Sequence, residues 1–273
     1  MSNSFKKQCI KLRLQDHTLN EIVQITGHPK TSVYFHIKNI PLSDDKLRCI
    51  HDFYRNHIIQ YNTSRKGVSK RGFAEIKNWD EYNVRLISHL LFDGEISNGR
   101  CVYNNRSKSL VDRVKSCMQS TYKYKPRERV LANGVTRIGY YNVALSEHLK
   151  NKSKLLLSEI GHLPKNLQRI FLQAFFDDEG SINFDKKIVR GYQKSVPLLK
   201  IINTLLKKFN IESRIDSKYY EIVISKKENL TNFKDEIGFS KGVCVNGARK
   251  NSIWKKSLEK RKILQMVLDS YNH

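Results

Sequence analysis

Two stretches of the chain repeat one pattern of apolar and acidic positions. Residues 172–182 (LQAFFDDEGSI) form an apolar run with helical spacing that ends in three acids and Gly180. Residues 86–96 (LISHLLFDGEI) form a second apolar run that ends in Asp93 and Gly94. The two glycines lie about 86 residues apart, which is too long for a solenoid repeat and suits two similar half-domains. The duplication therefore predicts a fold built from two related halves.

The charges at the end of the second run predict a bound cation. The C-terminal end of a helix carries partial negative charge, so Asp177, Asp178 and Glu179 stand where basic residues are preferred. A divalent cation would compensate for this charge, and we interpret Asp177 and Asp178 as helix-cap and structural residues. Gly180 is expected just past the helix end, in the left-handed backbone conformation that glycine adopts without strain.

The pattern after each run predicts strands and further helices. Asn133-Gly134 separates two alternating runs and predicts the turn of a hairpin within residues 122–145. Residues 140–146 and 219–225 both alternate as strands do, and we interpret them as matching strands of the two halves. Further strands are expected at residues 95–103 and 186–194. Helices are expected from Ser109, at residues 196–209, at residues 229–236 and from Ile253 onwards.

The two apolar runs resemble the signature helices of single-chain LAGLIDADG homing endonucleases. Aligned on the terminal glycine, the metal-binding acid of this family falls on Asp93 and Glu179. The small residue that lets the two family helices pack closely falls on Ser88 and Ala174. The first run departs from the family pattern at His89, which we interpret as a packed core histidine and not a ligand. The resemblance covers roughly residues 79–273.

The resemblance implies a mixed α+β fold, in which two pseudo-symmetric αββαββα half-domains form a DNA-binding saddle. Asp93 and Glu179 would then be the catalytic residues at its centre, each serving one strand of double-stranded DNA. Two carboxylates there would repel, and Mg²⁺ or Mn²⁺ would relieve the repulsion, activate water and stabilise the leaving oxygen. Lys226 and Lys227, just past a predicted strand, are candidates for orienting water or stabilising the transition state.

The N-terminal part of the chain predicts a separate module of helices. An amphipathic helix precedes a capping box of Thr18 and Glu21, a helix at residues 19–26, Gly27 and a third helix at residues 30–38. This order resembles a helix-turn-helix DNA-binding domain. Its outward face would present Lys30, Thr31, Ser32, Tyr34 and His36. The alternative is a three-helix packing module that does not touch DNA.

The charge of the chain points to a polyanion as its partner. Fifty Lys plus Arg against 26 Asp plus Glu leave a net charge of +24, which would draw nucleic acid or, as a weaker alternative, an anionic membrane surface. No run approaches the length of a membrane span and no apolar signal segment is present, so we expect a soluble, cytoplasmic protein. The five scattered cysteines favour reduced thiols over disulfides or a zinc site.

Two basic segments are the candidate DNA-reading surfaces. The predicted hairpin interleaves basic residues with tyrosines, as expected for strands that read a groove, although a solvated basic face is the alternative. Its candidate residues are Lys123, Lys125, Arg127, Arg129 and Arg137. The strand at residues 186–194 adds Lys187, Arg190, Tyr192 and Lys194.

We therefore predict four segments and one function. The segments are a helix-turn-helix domain (1–58), a basic linker (59–78), a first half-domain (79–163) and a second half-domain with a basic C-terminal helix (164–273). The predicted function is a homing-type DNA endonuclease that makes a metal-dependent double-strand break in a long asymmetric target, as a monomer with no obligate protein partner. The alternatives are a catalytically inactive DNA-binding regulator on the same fold and an RNA-binding intron maturase.

Overall fold

The structure is a computed structural model that describes residues 3–64, 72–245, 247 and 253–271. The chain divides into two compact units, Met1–Lys70 and Arg71–His273. The predicted linker residues 65–71, with Arg65, Lys66, Lys70 and Arg71, lie outside the described residues. No described helix is both long enough and apolar enough to span a bilayer.

The first unit consists of four helices: α1 (Asn3–Leu14), α2 (Leu19–Thr26), α3 (Lys30–Ile37) and α4 (Asp44–Ser64). The predicted capping box of Thr18 and Glu21 begins α2, and Gly27 ends it with a φ of 65°. The first three helices share a small core of Phe5, Cys9, Ile22, Val33 and Ile37. The three helices predicted from the sequence are thus present, whereas their binding to DNA stays a prediction.

The second unit contains two copies of one helix and strand order. The first copy consists of α5 (Glu81–Phe92), β1 (Gly94–Ser97), β2 (Arg100–Asn105), α6 (Lys108–Tyr122), β3 (Arg127–Val130), β4 (Thr136–Tyr140) and α7 (Val143–Glu159). The second consists of α8 (Lys165–Glu179), β5 (Gly180–Asn183), β6 (Ile188–Tyr192), α9 (Val196–Lys207), β7 (Ser213–Asp216), β8 (Glu221–Ile224) and α10 (Lys227–Glu236). A short hairpin of β9 (Cys244–Val245) and β10 (Leu258–Glu259) leads into α11 (Lys260–Asp269). The mixed α+β class and the αββαββα order are confirmed.

The two sheets have the same topology and the same register. Their strand orders are β1-β2-β4-β3 and β5-β6-β8-β7, and all neighbours are antiparallel. Gly94 lies opposite Tyr103 in the first sheet, and Gly180 lies opposite Gly191 in the second. Helices α5 and α8 pack along each other, with Ser88 and Ala174 fully buried as the family pattern predicts. The core of the second unit surrounds this helix pair.

The predicted role of Gly180 is wrong. Its φ of −79° and ψ of 144° are extended, and Gly94 is also absent from the described residues with positive φ. A Cβ atom would lie 2.2 Å from the carbonyl oxygen of Phe176 at Gly180, and 2.5 Å from the Cα of Leu90 at Gly94. Each glycine therefore allows the first strand to leave its helix at very close range, and backbone handedness is not the reason.

Three other elements differ from their predicted bounds. The single strand predicted at residues 95–103 is a hairpin of β1 and β2, because the chain turns between Ser97 and Arg100. Residues 140–146 do not form one strand, because β4 ends at Tyr140 and the Asn142 side chain accepts a hydrogen bond from the Leu145 N–H at the start of α7. The counterpart of β8 is therefore β4. The C-terminal helix begins at Lys260 and not at Ile253, while Trp254 lies in a turn with its ring against Phe184.

The predicted linker contributes to both units at its ends. Helix α4 continues to Ser64, past the predicted end of the N-terminal domain at Ile58. Ile76 is buried in the core of the second unit, and its N–H donates to Nε2 of His148 at 3.2 Å. The domain boundaries of the sequence analysis stay predictions.

Candidate active site

The two acids of the repeated motif lie at the ends of the central helices. Asp93 directly follows α5, and Glu179 is the last residue of α8. Each is followed at once by the glycine that begins the first strand of its sheet. Because α5 and α8 pack along each other, the two carboxylates come close enough for the charge of Asp93 to act on Glu179.

Partial removal from water and like charges make both carboxyl groups weak acids. Asp93 is exposed as a residue, yet partial removal of its carboxyl group from water raises its pKa to about 6, and the charge of Asp178 adds to the shift. Removal from water raises the pKa of Glu179 to about 7, with further contributions from Asp93 and Asp178. Two such carboxylates side by side favour a positive partner between them.

The pair suits a hard divalent cation. Mg²⁺ prefers oxygen ligands and commonly uses one or two carboxylates together with water and substrate phosphates. Within the described part of the chain, no group of three or more His, Cys, Asp or Glu side chains could hold a metal ion alone. Asp93 and Glu179 therefore fit an ion that is shared with a phosphate group, and that ion would relieve their repulsion.

An amide that the sequence analysis missed holds Asp93. Asn105 donates from Nδ2 to Oδ2 of Asp93 at 2.8 Å, and its Oδ1 accepts from the Ser107 N–H at 2.8 Å. Gln193 occupies the same register position in the second sheet, where its Oε1 accepts from the Ser195 N–H at 3.2 Å. The repeated order of amide, basic residue and serine before α6 and α9 was the sequence signal for this pair.

The negative end of α8 is compensated by the protein itself. Lys260, buried at the start of α11, donates from Nζ to the carbonyl oxygens of Asp177 (2.8 Å) and Phe176 (3.3 Å). Its burial lowers the pKa of the ammonium group. The carboxylate of Asp177 accepts from the Ser240 N–H at 2.8 Å and from Arg113 at 3.2 Å. The structural interpretation of Asp177 agrees with these contacts, and Lys260 supplies charge that the sequence analysis attributed to a metal alone.

A buried hydrogen-bonded pair joins the two central helices. Nδ1 of His89 lies 2.8 Å from Oδ2 of Asp178, and both side chains are fully buried. The hydroxyl of Tyr103 donates to Oδ1 of Asp178 at 2.7 Å. His89 is thus a core residue, as interpreted from the sequence, but its partner is a carboxyl group. The equivalent positions of the repeat hold two aromatic residues instead, Phe92 and Phe175, whose rings lie 5.1 Å apart.

The outer face of the first sheet is basic. Tyr103 and Tyr140 are buried against the helices, so strand alternation places Arg127, Arg129 and Arg137 on the opposite face of this sheet. Arg129 lies directly opposite Arg137, an arrangement that like charges disfavour unless an anion joins them.

The matching face of the second sheet has balanced charge. Alternation places Arg190 and Tyr192 there, together with Arg214, which the sequence analysis missed. Arg190 lies 3.5 Å from Glu221 and Arg214 lies 3.7 Å from Asp216, so both arginines already have acidic partners on this face.

The other predicted contact residues have mixed surroundings. Lys123, Lys125 and Lys194 are exposed at the ends of β3 and β6. Lys187 donates from Nζ to the carbonyl oxygen of Ser270 at 2.8 Å and is thereby tied to the C-terminal turn. In the first unit, Lys30, Thr31 and Tyr34 are exposed on α3, whereas Ser32 and His36 are half-buried.

The two candidate catalytic lysines lie past the end of β8. Lys226 precedes α10 with a φ of 73°, and its Nζ lies 3.8 Å from Glu212. Lys227 is the first residue of α10. The lysine whose charge acts on both Asp93 and Glu179 is Lys260. A catalytic role for Lys226 or Lys227 stays a prediction.

Comparison with known families confirms the resemblance seen in the motifs. Residues 166–238, which include α8 and most of the second half-domain, match the model of the LAGLIDADG-like domain family. The matched segment contains Glu179 and both hairpins of the second sheet.

Two curated proteins of Methanocaldococcus jannaschii are similar in sequence. DNA-directed RNA polymerase subunit Rpo1C is 29% identical over 221 residues, which are 75% of this chain and 25% of that protein. Probable translation initiation factor IF-2 is 33% identical over 87 residues, which are 28% of this chain and 7% of that protein. The chain spans a quarter or less of the length of these relatives.

Similar solved structures include two complexes with DNA. I-DmoI in complex with DNA and Mn is 17% identical with a TM-score of 0.45, and the match covers 59% of this chain and 97% of that one. The homing endonuclease I-WcaI bound to its DNA recognition sequence is 14% identical with a TM-score of 0.46, covering 62% and 86%. Full-length DUF199/WhiA from Thermatoga maritima is 13% identical with a TM-score of 0.49, covering 72% and 63%. Similarities this distant assign no activity.

Proposed function

We propose that the chain is a site-specific DNA endonuclease that depends on Mg²⁺ or Mn²⁺ and cuts both strands of a long asymmetric target. The proposal rests on Asp93 and Glu179, whose like charges repel each other at the neighbouring ends of α5 and α8. The basic outer face of the first sheet supports it, because Arg129 and Arg137 lie opposite each other and phosphates would relieve their repulsion. The match of residues 166–238 to the LAGLIDADG-like domain family agrees with the same reading.

The residues of the site have different roles in the proposed reaction. Arg129, Arg137 and Arg190 neutralise phosphates and hold the duplex against the sheets. A bound divalent ion would supply Lewis-acid stabilisation of the phosphate and lower the pKa of water. Asp93 and Glu179 would each hold the divalent cation beside one scissile phosphate. Asn105 fixes the orientation of Asp93 through its hydrogen bond of 2.8 Å. Hydrolysis adds water to phosphorus as the ester oxygen leaves.

The proposal is tested by cleavage of a randomised supercoiled plasmid library by the purified full chain. We expect linear products with defined ends in Mg²⁺ or Mn²⁺ and none in EDTA. The matched control is Asp185→Asn, which changes an exposed acid in the turn between β5 and β6 and should cut normally. Tight DNA binding without cutting in any divalent metal would favour the inactive regulator, and selective binding of structured RNA over duplex DNA would favour the maturase.

Stability in the presence of Mg²⁺ should depend on pH. Folding raises the pKa of both acids, so without metal the native state loses stability as the pH rises from about 4 towards about 8. Mg²⁺ needs both groups ionised, so its stabilising effect should grow over about pH 5.5 to 8. Melting temperatures with MgCl₂ or EDTA measure both trends. An equal Mg²⁺ effect in Asp93→Asn/Glu179→Gln at every pH would place the ion elsewhere.

Loss of the Asn105 amide should slow one strand selectively. Asn105→Ala removes the donor that orients Asp93, and partners of metal-binding residues typically contribute about 10- to 100-fold. Nicking of the strand served by Asp93 should slow by about that factor, while the other strand is cut at the normal rate. Strand-specific end labels measure the two rates, and Asn151→Ala at an exposed position of α7 is the control. Equal slowing of both strands would contradict an orienting role.

A further inference from the structure

A cleft of about 670 Å³ lies beside the central helices and away from the acid pair. Its walls are the first turns of α5, one face of α6, Gln173 of α8 and residues 239–241, and no strand residue lines it. Arg85 precedes Asp93 by eight residues, which is about 12 Å along a helix. The cleft is therefore separate from the outer faces of the sheets. Its volume falls within the range of small-molecule sites.

The cleft carries an excess of positive charge. Arg85, Arg113 and Lys241 line it, against the single acid Glu81. The remaining polar wall includes the hydroxyl groups of Ser109, Ser116 and Ser240. This composition favours an anion with several oxygen atoms.

Arg85 is the most informative residue of the cleft. Partial burial lowers the pKa of its guanidinium and the nearby charge of Arg113 lowers it further, while the charges of Asp177 and Glu81 oppose this shift. Its NH1 donates to Oε1 of Gln173 at 3.1 Å, which is a neutral partner. Among the described residues no carboxylate lies within 4.0 Å of this guanidinium. A half-buried cation without a carboxylate in direct contact favours a further anion, and the cleft is the open side from which that anion could bind.

Arg113 gives the cleft a second donor on the facing helix. Its NH1 lies 3.2 Å from Oδ2 of Asp177, and its NH2 donates to the carbonyl oxygen of Lys241 at 3.5 Å. Lys241 is held next to Ser240, whose N–H bonds Asp177 at 2.8 Å. Tyr82 lies at the same cleft and is 53% exposed, so its ring offers an apolar surface there, whereas Phe239 beside it is buried in the core.

We infer that this cleft binds a phosphate-bearing ligand of nucleotide size. The phosphate oxygens accept from Arg85 and Arg113, with Lys241 as a further charge, and a planar base lies against Tyr82. The inference is independent of the nuclease proposal, because it concerns other residues and is measured without metal. The same phosphate chemistry could come from inorganic phosphates or from a nucleotide, and the two sources are separable by affinity.

The test is calorimetric titration of the full chain in EDTA at physiological salt with pyrophosphate, ADP and adenosine. We expect saturable one-to-one binding of pyrophosphate and ADP and none of adenosine. Tighter binding of ADP assigns the site to a nucleotide, and equal binding assigns it to the phosphates alone. Arg85→Gln should weaken binding about tenfold or more, the usual range for a lost charge-assisted hydrogen bond.

A second variant separates binding from folding. Ser116→Phe places a ring in the cleft from an exposed position of α6 and removes none of the described bonds of the arginines, so binding should be lost while the unfolding curve stays normal. Arg169→Gln, which changes an arginine of α8 that is paired with Glu236, is the matched control. The inference is overturned if neither phosphate probe binds. It is equally overturned if binding survives both Arg85→Gln and Ser116→Phe, since it would then reflect only the net charge.

Discussion

Asp93→Asn and Glu179→Gln are each expected to convert double-strand cutting into nicking of a single strand. Each substitution keeps the shape of the side chain but removes the negative charge that would hold the cation at one scissile phosphate. Partners that merely orient metal-binding residues contribute about 10- to 100-fold, so loss of a direct ligand should cost at least about 100-fold on its own strand. Conversion of supercoiled plasmid into open circles, with the nicked strand read by primer extension, measures the effect.

The two variants are each other's best control. They should nick opposite strands of one target, and the double variant should bind that target but leave it supercoiled. Affinity should hold in all three, because the arginines of the sheets supply the phosphate contacts. Loss of both cuts in each single variant would show that the two acids act as one site, and the proposal of one acid per strand would be abandoned.

The sequence identified the acids because their signal is local. An apolar helix that ends in an acid and a glycine is complete within ten or so residues, and it occurs twice. The duplication predicted two related halves, and the resemblance of the two runs to the LAGLIDADG family supplied the fold class. The sequence could not show why glycine is needed at these positions, because the close approach of Gly180 to Phe176 depends on the path of the backbone from α8 into β5.

Residues that contact the site from distant segments of the chain could not be predicted from local sequence patterns. Lys260 compensates the end of α8 from the start of α11, and Arg113 reaches Asp177 from α6. Neither has a marker in its own neighbourhood, because lysines and arginines are abundant in a chain of net charge +24. The strand at residues 140–146 failed for another reason, since Asn142 caps a helix there and that local bond outweighs the alternation.

The buried pair His89 and Asp178 should show strong energetic coupling. His89→Leu removes the ring that faces the Asp178 carboxylate and leaves a fully buried acid with Tyr103 as its remaining described hydrogen-bond donor. Breaking a buried pair in this way typically lowers the free energy of unfolding by about 3 to 5 kcal/mol. Urea denaturation of the second unit's transition measures the loss. Asp178→Asn, which keeps the shape and can still accept from Tyr103, should cost less, about 1 to 3 kcal/mol.

The decisive variant replaces both partners. His89→Leu/Asp178→Val removes both charges with side chains of suitable volume, and apolar replacement of buried ion pairs is commonly neutral or stabilising. We therefore expect the double variant to be more stable than His89→Leu alone, which additive effects cannot produce. At the symmetric position, Phe175→Leu loses only apolar contact with Phe92, so adding Asp178→Val should not rescue it.

The comparison of stability with cleavage separates two roles for the pair. The other half of the interface between α5 and α8 is packed by Phe92 and Phe175 without a charged group. Packing alone therefore does not require a charge at the positions of His89 and Asp178. Asp178 also acts electrostatically on both Asp93 and Glu179. If the double variant folds with normal stability but needs more Mg²⁺ for half-maximal cleavage, the pair serves the acid centre through the charge of Asp178. An unchanged Mg²⁺ requirement would instead limit the pair to joining α5 and α8.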